Sequence, residues 1–334
     1  MDFQREKKIV LDYYQALEKA DNLSVPSVLL EFCSSDLVWR GFAPFNLIRG
    51  AEAVGKSFWQ PLLYSLNHCQ RRLDIFIAGQ NAIVGNRGKW VISMGHLMGL
   101  FDHPWLGIPP TQKLIMLRYC EFNRVKNGKI IETAMFFDIP HFMIQAGLVP
   151  FKSQTGAHLV QPGPMNHSGL MFDPQDPLET KKTKKAIEFM INDIRTWKKP
   201  NDEPLVDELR RSWNEDMIWW GPAGIGATYT IDRYAKQHSG PFRSGLKDRK
   251  FNGHLCRVTE GNFGGFFGWP NLTLTPAGGF MGMPASEIPG DMRVIDMYRR
   301  EGEKLTENWV FIDLLHFWKS QGIDILKDTL KMTS

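Results

Sequence analysis

The amino-acid sequence predicts an α+β fold that occurs twice along the chain. In each half, segments with a helical spacing of apolar residues come first and strand-like segments follow, the order typical of α+β domains. A pattern in residues 129–142 also returns in residues 304–317: a lysine, a glutamate three residues later, an aspartate six residues after that, and His-Phe after two intervening residues. Two copies of one spacing indicate two copies of one domain, and 334 residues suit two domains of ordinary size.

The first half begins with helices. Residues 5–20 carry apolar side chains at helical spacing among charged ones, which predicts an amphipathic helix. Ser24 is a candidate N-cap for a second helix that begins at Pro26, because proline is favoured in the first turn. A third helix is predicted over residues 51–66 with an interruption at Pro61, since an internal proline removes a helical hydrogen bond.

Four strand-like runs come after these helices, and a short helical turn over residues 142–147 ends the first half. Asn127-Gly128, the dipeptide most typical of a tight hairpin, separates the last two runs. The runs cover residues 73–78, 89–100, 113–125 and 129–138.

The second half repeats the first at two fixed offsets. The pattern Asp-x-x-Trp-x-Gly begins at Asp36 and again at Asp216, an offset of 216 minus 36, or 180. Glu132 returns as Glu307, an offset of 307 minus 132, or 175. The stretch between the copies is rich in Gly, Pro and Ser, as linkers are. The predicted division is a first domain over residues 1–149, a linker over 150–178 and a second domain over 179–334.

Composition limits the classes of function. Lysine and arginine number 40 and aspartate and glutamate 36, so the formal charge of +4 gives no electrostatic argument for a nucleic-acid partner. The N-terminus lacks the apolar region of a signal peptide, and no apolar run is long enough to cross a membrane. The four cysteines are scattered, which favours reduced thiols and a cytoplasmic location, and no spacing of a metal site occurs. With 11 Trp and 22 Phe, the chain has enough aromatic residues to line apolar cavities, although packing in the core is the favoured explanation.

Several motifs resemble one known family. They are the Gly-x-Pro-x-Thr/Ser element at Gly107, the Asn127-Gly128 hairpin, the glutamate before the last strand and the aspartate at its end. On these residues each half resembles a SnoaL-like polyketide cyclase domain of the nuclear transport factor 2-like superfamily, nearly from end to end. The resemblance implies two tandem cone-shaped domains, each with N-terminal helices packed on a curved, mainly antiparallel sheet. It also implies an internal pseudo-dimer, with further homodimerisation left open.

The same resemblance implies an intramolecular aldol condensation that an aspartate carries as acid and base, without metal or cofactor. Matched by motif, that aspartate is Asp138 in the first copy and Asp313 in the second. The chain departs from the family where His-Trp usually comes after the glutamate. Thr133-Ala134 stands there in the first copy and Asn308-Trp309 in the second.

Physical chemistry allows two roles for the strand-end aspartates. A carboxylate at the rim of an apolar cone is partly desolvated, which raises its pKa towards the range useful for proton transfer. The alternative is that Asp138 and Asp313 each cap the next helix. His141 and His316 lie one helical turn further on, close enough to pair with the aspartates or to pack beside the next phenylalanine.

Two further carboxylates, Glu121 and Asp296, lie at matched positions inside apolar strands. A buried carboxylate is costly unless it is paired, so we expect each either to meet Arg118 or Arg293 or to line the pocket beside Tyr119. The remaining candidates for substrate binding are aromatic residues or histidines on predicted strands. They are Trp39, His96, Phe136, Trp219, Trp220 and Trp309.

The favoured function is cofactor-independent acid-base catalysis of the lyase, cyclase or isomerase type on a small hydrophobic carbonyl compound. Two alternatives stay open: a binding protein that holds a small apolar ligand without chemistry, and a hydrolase whose carboxylate activates water.

Overall fold

The computed structural model describes residues 2–152, 154, 156, 162–164, 166–195 and 203–332. The described chain divides into two compact units, each with one sheet. Unit 1 comprises Met1–Pro150, Pro162–Pro174 and Leu326–Ser334, and unit 2 comprises Phe151–Gln161 and Gln175–Ile325.

Unit 1 is an α+β domain whose helices pack on a six-stranded sheet of order β2-β1-β6-β5-β4-β3. The pairing of β1 with β6 is parallel and the other pairings are antiparallel. The helices are α1 Gln4–Lys19, α2 Val25–Phe32, α3 Ala51–Val54, α4 Gln60–Ser65 and α5 Ile139–Gln145. The strands are β1 Cys33–Gly41, β2 Leu47–Arg49, β3 Leu66–Gln80, β4 Lys89–Phe101, β5 Leu114–Lys126 and β6 Lys129–Phe137.

Unit 2 repeats this plan in a seven-stranded sheet of order β10-β11-β12-β13-β7-β8, with β9 also paired to β11. Again one pairing, that of β13 with β7, is parallel. The helices are α6 Pro177–Ile194, α7 Leu205–Arg210, α8 Ile231–Tyr234, α9 Gly240–Gly245 and α10 Leu314–Ser320. The last helix, α11 Ile325–Lys331, belongs to unit 1 apart from its first residue. The strands are β7 Trp213–Trp220, β8 Ala227–Tyr229, β9 Leu246–Phe251, β10 Cys256–Glu260, β11 Phe263–Pro276, β12 Gly290–Glu301 and β13 Lys304–Ile312.

The structure corrects two details of the first helices. Ser24 precedes α2, but its hydroxyl donates to Asp21 Oδ1 at 2.6 Å and caps no backbone N–H of the helix. The third helix is interrupted just before Pro61 rather than at it. A π-helical turn, Gly55–Trp59, separates α3 from α4, and the proline lies in the first turn of α4. Unit 2 has the same π-helical turn at Ala235–Ser239, displaced by 235 minus 55, or 180 residues.

Both sheets curve because their long strands contain irregularities. The register of β3 shifts against β4 between Leu73 and Ile75, and that of β11 shifts against β12 between Gly268 and Leu272. An extra residue of this kind bends and twists its strand. Each unit is therefore a cone, with helices on the concave face of the sheet.

Part of the predicted linker packs on unit 1. The backbone of Phe76 in β3 donates to Gly169 O at 2.7 Å and accepts from the N–H of Met171 at 2.9 Å. The ammonium of Lys7 donates to Met171 O at 2.5 Å. Residues 169–171 thus continue the edge of the first sheet. Across the described ranges, no helix has both the length and the apolar character needed to cross a membrane.

Candidate active site

The two units share the same arrangement of helices and strands, but different side chains occupy the interior of each. The offset of 180 residues runs from the π-helical turns through to the starts of β3 and β9, so residues at this spacing are structural equivalents. Trp59 in unit 1 corresponds to Ser239 in unit 2, at the end of each π-helical turn. Arg71, the sixth residue of β3, corresponds to Phe251, the sixth of β9.

Arg71 and aromatic rings fill the cone of unit 1. The Arg71 Nη1 atom donates to Glu121 Oε2 at 2.9 Å, and both side chains are almost fully buried. The guanidinium carbon lies 3.8 Å from the ring centroid of Tyr14, 4.5 Å from that of Tyr119 and 5.7 Å from that of Trp59. Paired and stacked in this way, the buried charge is compensated. Glu121 is therefore held in a buried ion pair with Arg71.

The cone of unit 2 contains a cavity of about 170 Å³. The substitution of Ser239 for a tryptophan removes a large ring from its wall, and Phe251 carries no charge that would need a partner. The bottom of the cavity is formed by inward-facing residues of three adjacent strands. They are Phe266 of β11, Asp296 and Tyr298 of β12, and Asn308 and Val310 of β13.

Asp296 is the acidic residue that lines this cavity among the described residues. It is partly buried and lines the cavity. Burial raises the pKa of its carboxyl to about 7, while hydrogen bonds to Asn308 and Tyr298 oppose the rise. The amide of Asn308 donates to Asp296 Oδ1 at 3.2 Å and to Met297 O at 3.0 Å. With a pKa near neutrality, the Asp296 carboxyl can both accept and release a proton.

Two phenols and a histidine accompany Asp296 in the cavity. Burial raises the pKa of Tyr298 and of Tyr234, and the nearby Asp296 charge raises both further, so each hydroxyl keeps its proton and can donate. The imidazole of His238 stacks on Trp219, with centroids 4.0 Å apart. Burial lowers the pKa of His238 to about 3, which keeps the ring neutral.

Two other polar residues face the cavity, Asn271 in β11 and His254 between β9 and β10. The Oδ1 atom of Asn271 is buried and has no hydrogen-bond partner among the residues that the structure describes. His254 accepts a hydrogen bond at Nδ1 from Arg257 Nη2 at 3.1 Å, which places its proton on Nε2. Burial and the charge of Arg257 lower the pKa of His254 to about 3. Both side chains therefore offer neutral polar atoms to a ligand.

The strand-end aspartates cap helices in both units. Asp138 Oδ1 accepts the backbone N–H of His141 at 3.0 Å at the start of α5, and Asp313 Oδ1 accepts that of His316 at 3.1 Å at the start of α10. Arg118 Nη1 lies 4.0 Å from Asp138 Oδ2, while Arg293 Nη1 donates to Asp313 Oδ2 at 3.3 Å. Neither aspartate lines the unit 2 cavity. Their catalytic assignment stays a prediction.

Of the two expectations for the buried strand carboxylates, pairing with Arg118 or Arg293 was wrong, whereas Asp296 does line a cavity. Glu121 pairs with Arg71 and not with Arg118, because residues 118 and 121 point to opposite faces of β5. For the same reason Arg293 meets Asp313 and not Asp296. Tyr119 does lie on the same face as Glu121, and its ring contacts Arg71.

The predicted histidines lie outside the cavity. The His141 Nδ1 atom is 3.2 Å from Gln145 Nε2, within α5. His316 is half-buried, and burial with the nearby Arg293 charge lowers its pKa to about 4. His96 is buried in β4, with Nδ1 3.1 Å from Asp74 Oδ2.

Of the predicted aromatic residues, Trp219 lines the cavity. Trp39, its equivalent in unit 1, packs 5.1 Å from the ring of Phe58. The other three residues lie elsewhere in the core of their own unit. Phe136 stacks on Phe42 with centroids 4.2 Å apart, Trp220 lies edge-on to Tyr229 at 6.0 Å, and Trp309 lies 6.5 Å from Phe263.

Sequence reasoning did not single out several cavity residues. Asn308 could have been found from the sequence, because it stands where the resembled family usually has histidine. The two-residue period of β13 also places it with Val310 and Ile312 on the face opposite Trp309. Tyr234 and His238 could have been found from the 180-residue offset, which aligns them with Val54 and Phe58. In the described ranges, no group of three or more His, Cys, Asp or Glu side chains could hold a metal ion.

Comparison with known proteins finds fold relatives among solved structures. A candidate SnoaL-like polyketide cyclase from Jannaschia sp. CCS1 is 18% identical, with 41% of this chain and 88% of that chain covered and a TM-score of 0.32. IdmH, a candidate polyketide cyclase from Streptomyces antibioticus, is 17% identical, with 42% and 97% covered and a TM-score of 0.34. An NTF2-like protein from Burkholderia thailandensis E264 is 22% identical, with 43% and 97% covered and a TM-score of 0.32.

No family model and no curated protein matches the chain. The solved structures are much shorter than this chain, and such low identity bears on fold alone. The chain is thus similar to SnoaL-like and NTF2-like proteins, and the strand order and helices of each unit independently give the α+β cone.

Proposed function

We propose that unit 2 performs cofactor-independent acid-base catalysis, of the lyase, cyclase or isomerase type, on a small hydrophobic carbonyl compound. The observation that carries the proposal is the carboxyl of Asp296, which lies in a mostly apolar cavity with a pKa of about 7. A base with a pKa near the working pH combines a useful ionised fraction with a useful driving force for proton transfer.

In the proposed mechanism the Asp296 carboxylate removes a proton from the carbon next to the substrate carbonyl. The electron pair of that C–H bond moves onto the carbonyl oxygen and gives an enolate, which the hydroxyl of Tyr234 stabilises as a donor while that of Tyr298 donates to Asp296. The protonated Asp296 then returns the proton to a different carbon in an isomerase. In a cyclase, the enolate carbon attacks a second carbonyl and the new alkoxide takes the proton.

The proposed mechanism assigns unit 1 no proton-transfer step. Its equivalent carboxylate, Glu121, is paired with Arg71, and rings occupy the space that unit 2 leaves open. This division differs from the assignment by motif, which places one catalytic aspartate in each copy. The test must therefore compare Asp296 with Asp138 and Asp313.

The experiment measures deuterium incorporation next to the carbonyl of monocyclic ketones in D₂O by NMR. We expect Asp296→Asn to slow the enzyme-dependent exchange by about 10²- to 10⁴-fold. Asp138→Asn and Asp313→Asn are matched controls at the two helix caps and are expected to keep the exchange rate. Loss of exchange in either control with an unchanged rate in Asp296→Asn would reject the assignment.

The same protein and ketones also test the two alternative functions, a binding protein and a hydrolase. Binding of the ketones without exchange would favour a carrier protein. Transfer of labelled oxygen from water into a recovered product would favour a hydrolase.

A further inference from the structure

The wall of the unit 2 cavity contains a buried amide whose oxygen is left over. Asn271 is 5% exposed and lines the cavity, and its Oδ1 atom has no hydrogen-bond partner among the residues that the structure describes. The backbone of the same residue is held in place, because its carbonyl accepts the N–H of Asn252 at 2.8 Å. An unpaired buried acceptor is unfavourable, and proteins pair nearly all such atoms. A ligand in the cavity is therefore the partner that this amide lacks.

Asn271 lies close to Asp296 on the cavity wall. A Cβ atom added to Gly268 would lie 1.9 Å from Asn271 Cβ, so the asparagine side chain occupies the place of the side chain that this glycine lacks. Gly268 is the register partner of Val294. Two residues back along β11, Phe266 is the register partner of Asp296. The place that Asn271 fills is thus diagonal to Asp296, with about 7 to 8 Å between such positions.

His254 provides a donor in the same part of the cavity. Its ring stacks on Phe266 with centroids 3.8 Å apart, and Phe266 lies two residues from Gly268. Because Nδ1 accepts from Arg257, Nε2–H is the donor that the ring can offer. Burial and the charge of Arg257 lower the pKa of His254 to about 3, so the ring is neutral. An uncharged group that both donates and accepts suits these surroundings, and a hydroxyl is the smallest such group.

Backbone takes the place of this amide in unit 1. Gly95 and Gly268 are equivalent, because each pairs with the residue two positions before the strand carboxylate of its unit. A Cβ atom added to Gly95 would lie 1.9 Å from Arg72 O, a carbonyl of the neighbouring strand. The polar side chain of Asn271 thus accompanies the unit that has the cavity, which favours a role in binding over a role in the shared fold.

We propose that the substrate of unit 2 carries a hydroxyl group that donates to Asn271 Oδ1 while its carbonyl group lies beside Asp296. The inference rests on the proposed function and names its substrate class. A cavity of about 170 Å³ is close to the roughly 150 Å³ that holds one benzene molecule. The separation of about 7 to 8 Å along the wall is also comparable to one ring with a substituent at each end. The substrate class is a monocyclic hydroxy ketone.

The test compares 4-hydroxycyclohexanone with 4-fluorocyclohexanone, whose fluorine is similar in size to a hydroxyl and cannot donate. Affinities for the full chain are measured by NMR titration. We expect the hydroxy ketone to bind at least fivefold more tightly, because the fluoro ketone leaves the buried amide unpaired. Asn271→Leu keeps the shape of the side chain without its amide and should abolish this preference. Asn252→Leu, the same change at an exposed position that does not line the cavity, should retain it.

Equal affinity of the two ketones for the wild type, or no measurable binding of either, would overturn the inference without any variant. An unchanged preference in Asn271→Leu would do the same, since the hydroxyl would then bind elsewhere. Deuterium exchange of cyclohexanone, which has no hydroxyl, tests the proposed function separately. If cyclohexanone exchanges and no hydroxyl preference exists, the inference fails and the proposed function stands; a preference without exchange gives the reverse result.

Discussion

Arg71 of unit 1 donates to Glu121 at 2.9 Å, whereas Phe251 and Asp296, the residues at the same two positions of unit 2, line a cavity and form no ion pair with any residue that the structure describes. The duplicated carboxylate therefore has two environments in one chain. In unit 1 a guanidinium neutralises it, and in unit 2 apolar surroundings raise its pKa.

The Arg71–Glu121 pair should be costly to break from one side. We expect Arg71→Met to lower the free energy of unfolding by about 3 to 5 kcal/mol, because it leaves the buried Glu121 carboxylate without its cation. Adding Glu121→Leu should recover much of that loss. Denaturant unfolding measures both, and Lys56→Met, in an exposed pair with Glu52, should cost no more than about 1 kcal/mol. An equal cost for the buried and the exposed pair would contradict this account.

The raised pKa of Asp296 should appear in the pH dependence of stability. Because the carboxyl is harder to ionise in the folded state, its contribution is fully present below its unfolded pKa of about 4 and is lost as the pH rises to about 7. Relative to Asp296→Asn, the wild type should lose up to about 4 kcal/mol across this range, from about three pKa units.

The comparison with the Asp296→Asn variant is needed because His238 and His254 also make stability depend on pH. Their pKa values are lowered in the folded state, so their contribution to the free energy of unfolding is lost as the pH falls below about 6.5, the opposite direction to that of Asp296. Denaturant unfolding of both proteins from pH 4 to 8 measures the difference. A difference that does not change with pH would mean that the Asp296 pKa is ordinary.

Ser239→Trp should give the unit 2 cavity the ring that Trp59 supplies in unit 1. We expect at least a tenfold weaker binding of cyclohexanone in an NMR titration, because the indole occupies the ligand volume. Circular dichroism should stay unchanged, since the equivalent position of unit 1 already holds a tryptophan. Ser244→Trp, at an exposed position of α9, is the control and should bind as the wild type does. Undiminished binding in Ser239→Trp would place the ligand elsewhere.

The helix caps can be tested by replacing each aspartate with asparagine or alanine. Asparagine still accepts the N–H of His141 or His316, so it should be more stable than alanine by about 1 kcal/mol at both Asp138 and Asp313. Thermal or denaturant unfolding measures the difference. Asparagine variants that unfold normally but lose turnover would instead support the catalytic role predicted from the motif.

The sequence alone was enough to predict the internal repeat and the order of helices and strands in each half. The Asn127-Gly128 hairpin is confirmed, with Lys126 and Lys129 as register partners at its base. The 180-residue offset holds through both π-helical turns, so equivalent positions could be paired before the structure.

The location of the site could not be deduced in the same way. Alternation shows that Asp296 and Arg293 point to opposite faces of β12, but only the packed helices show which face is concave. Likewise, whether a cone is open depends on how Arg71 or Phe251 meets side chains from other elements, which a strand pattern does not contain. Asp138 was predicted to be catalytic because it lies at the end of a strand, and the same location makes it the N-cap of the next helix.

The π-helical turn has a consequence for how new specificities could arise in this chain. One extra residue in a helix rotates the next turn by about 100°, and at Ala235–Ser239 this wide turn presents His238 and Ser239 to the cavity without any part in the strand register. Fold and selectivity are thus encoded in separate places. A library confined to codons 238 and 239 would vary the shape of the chamber while the sheet that carries Asp296 stays as it is.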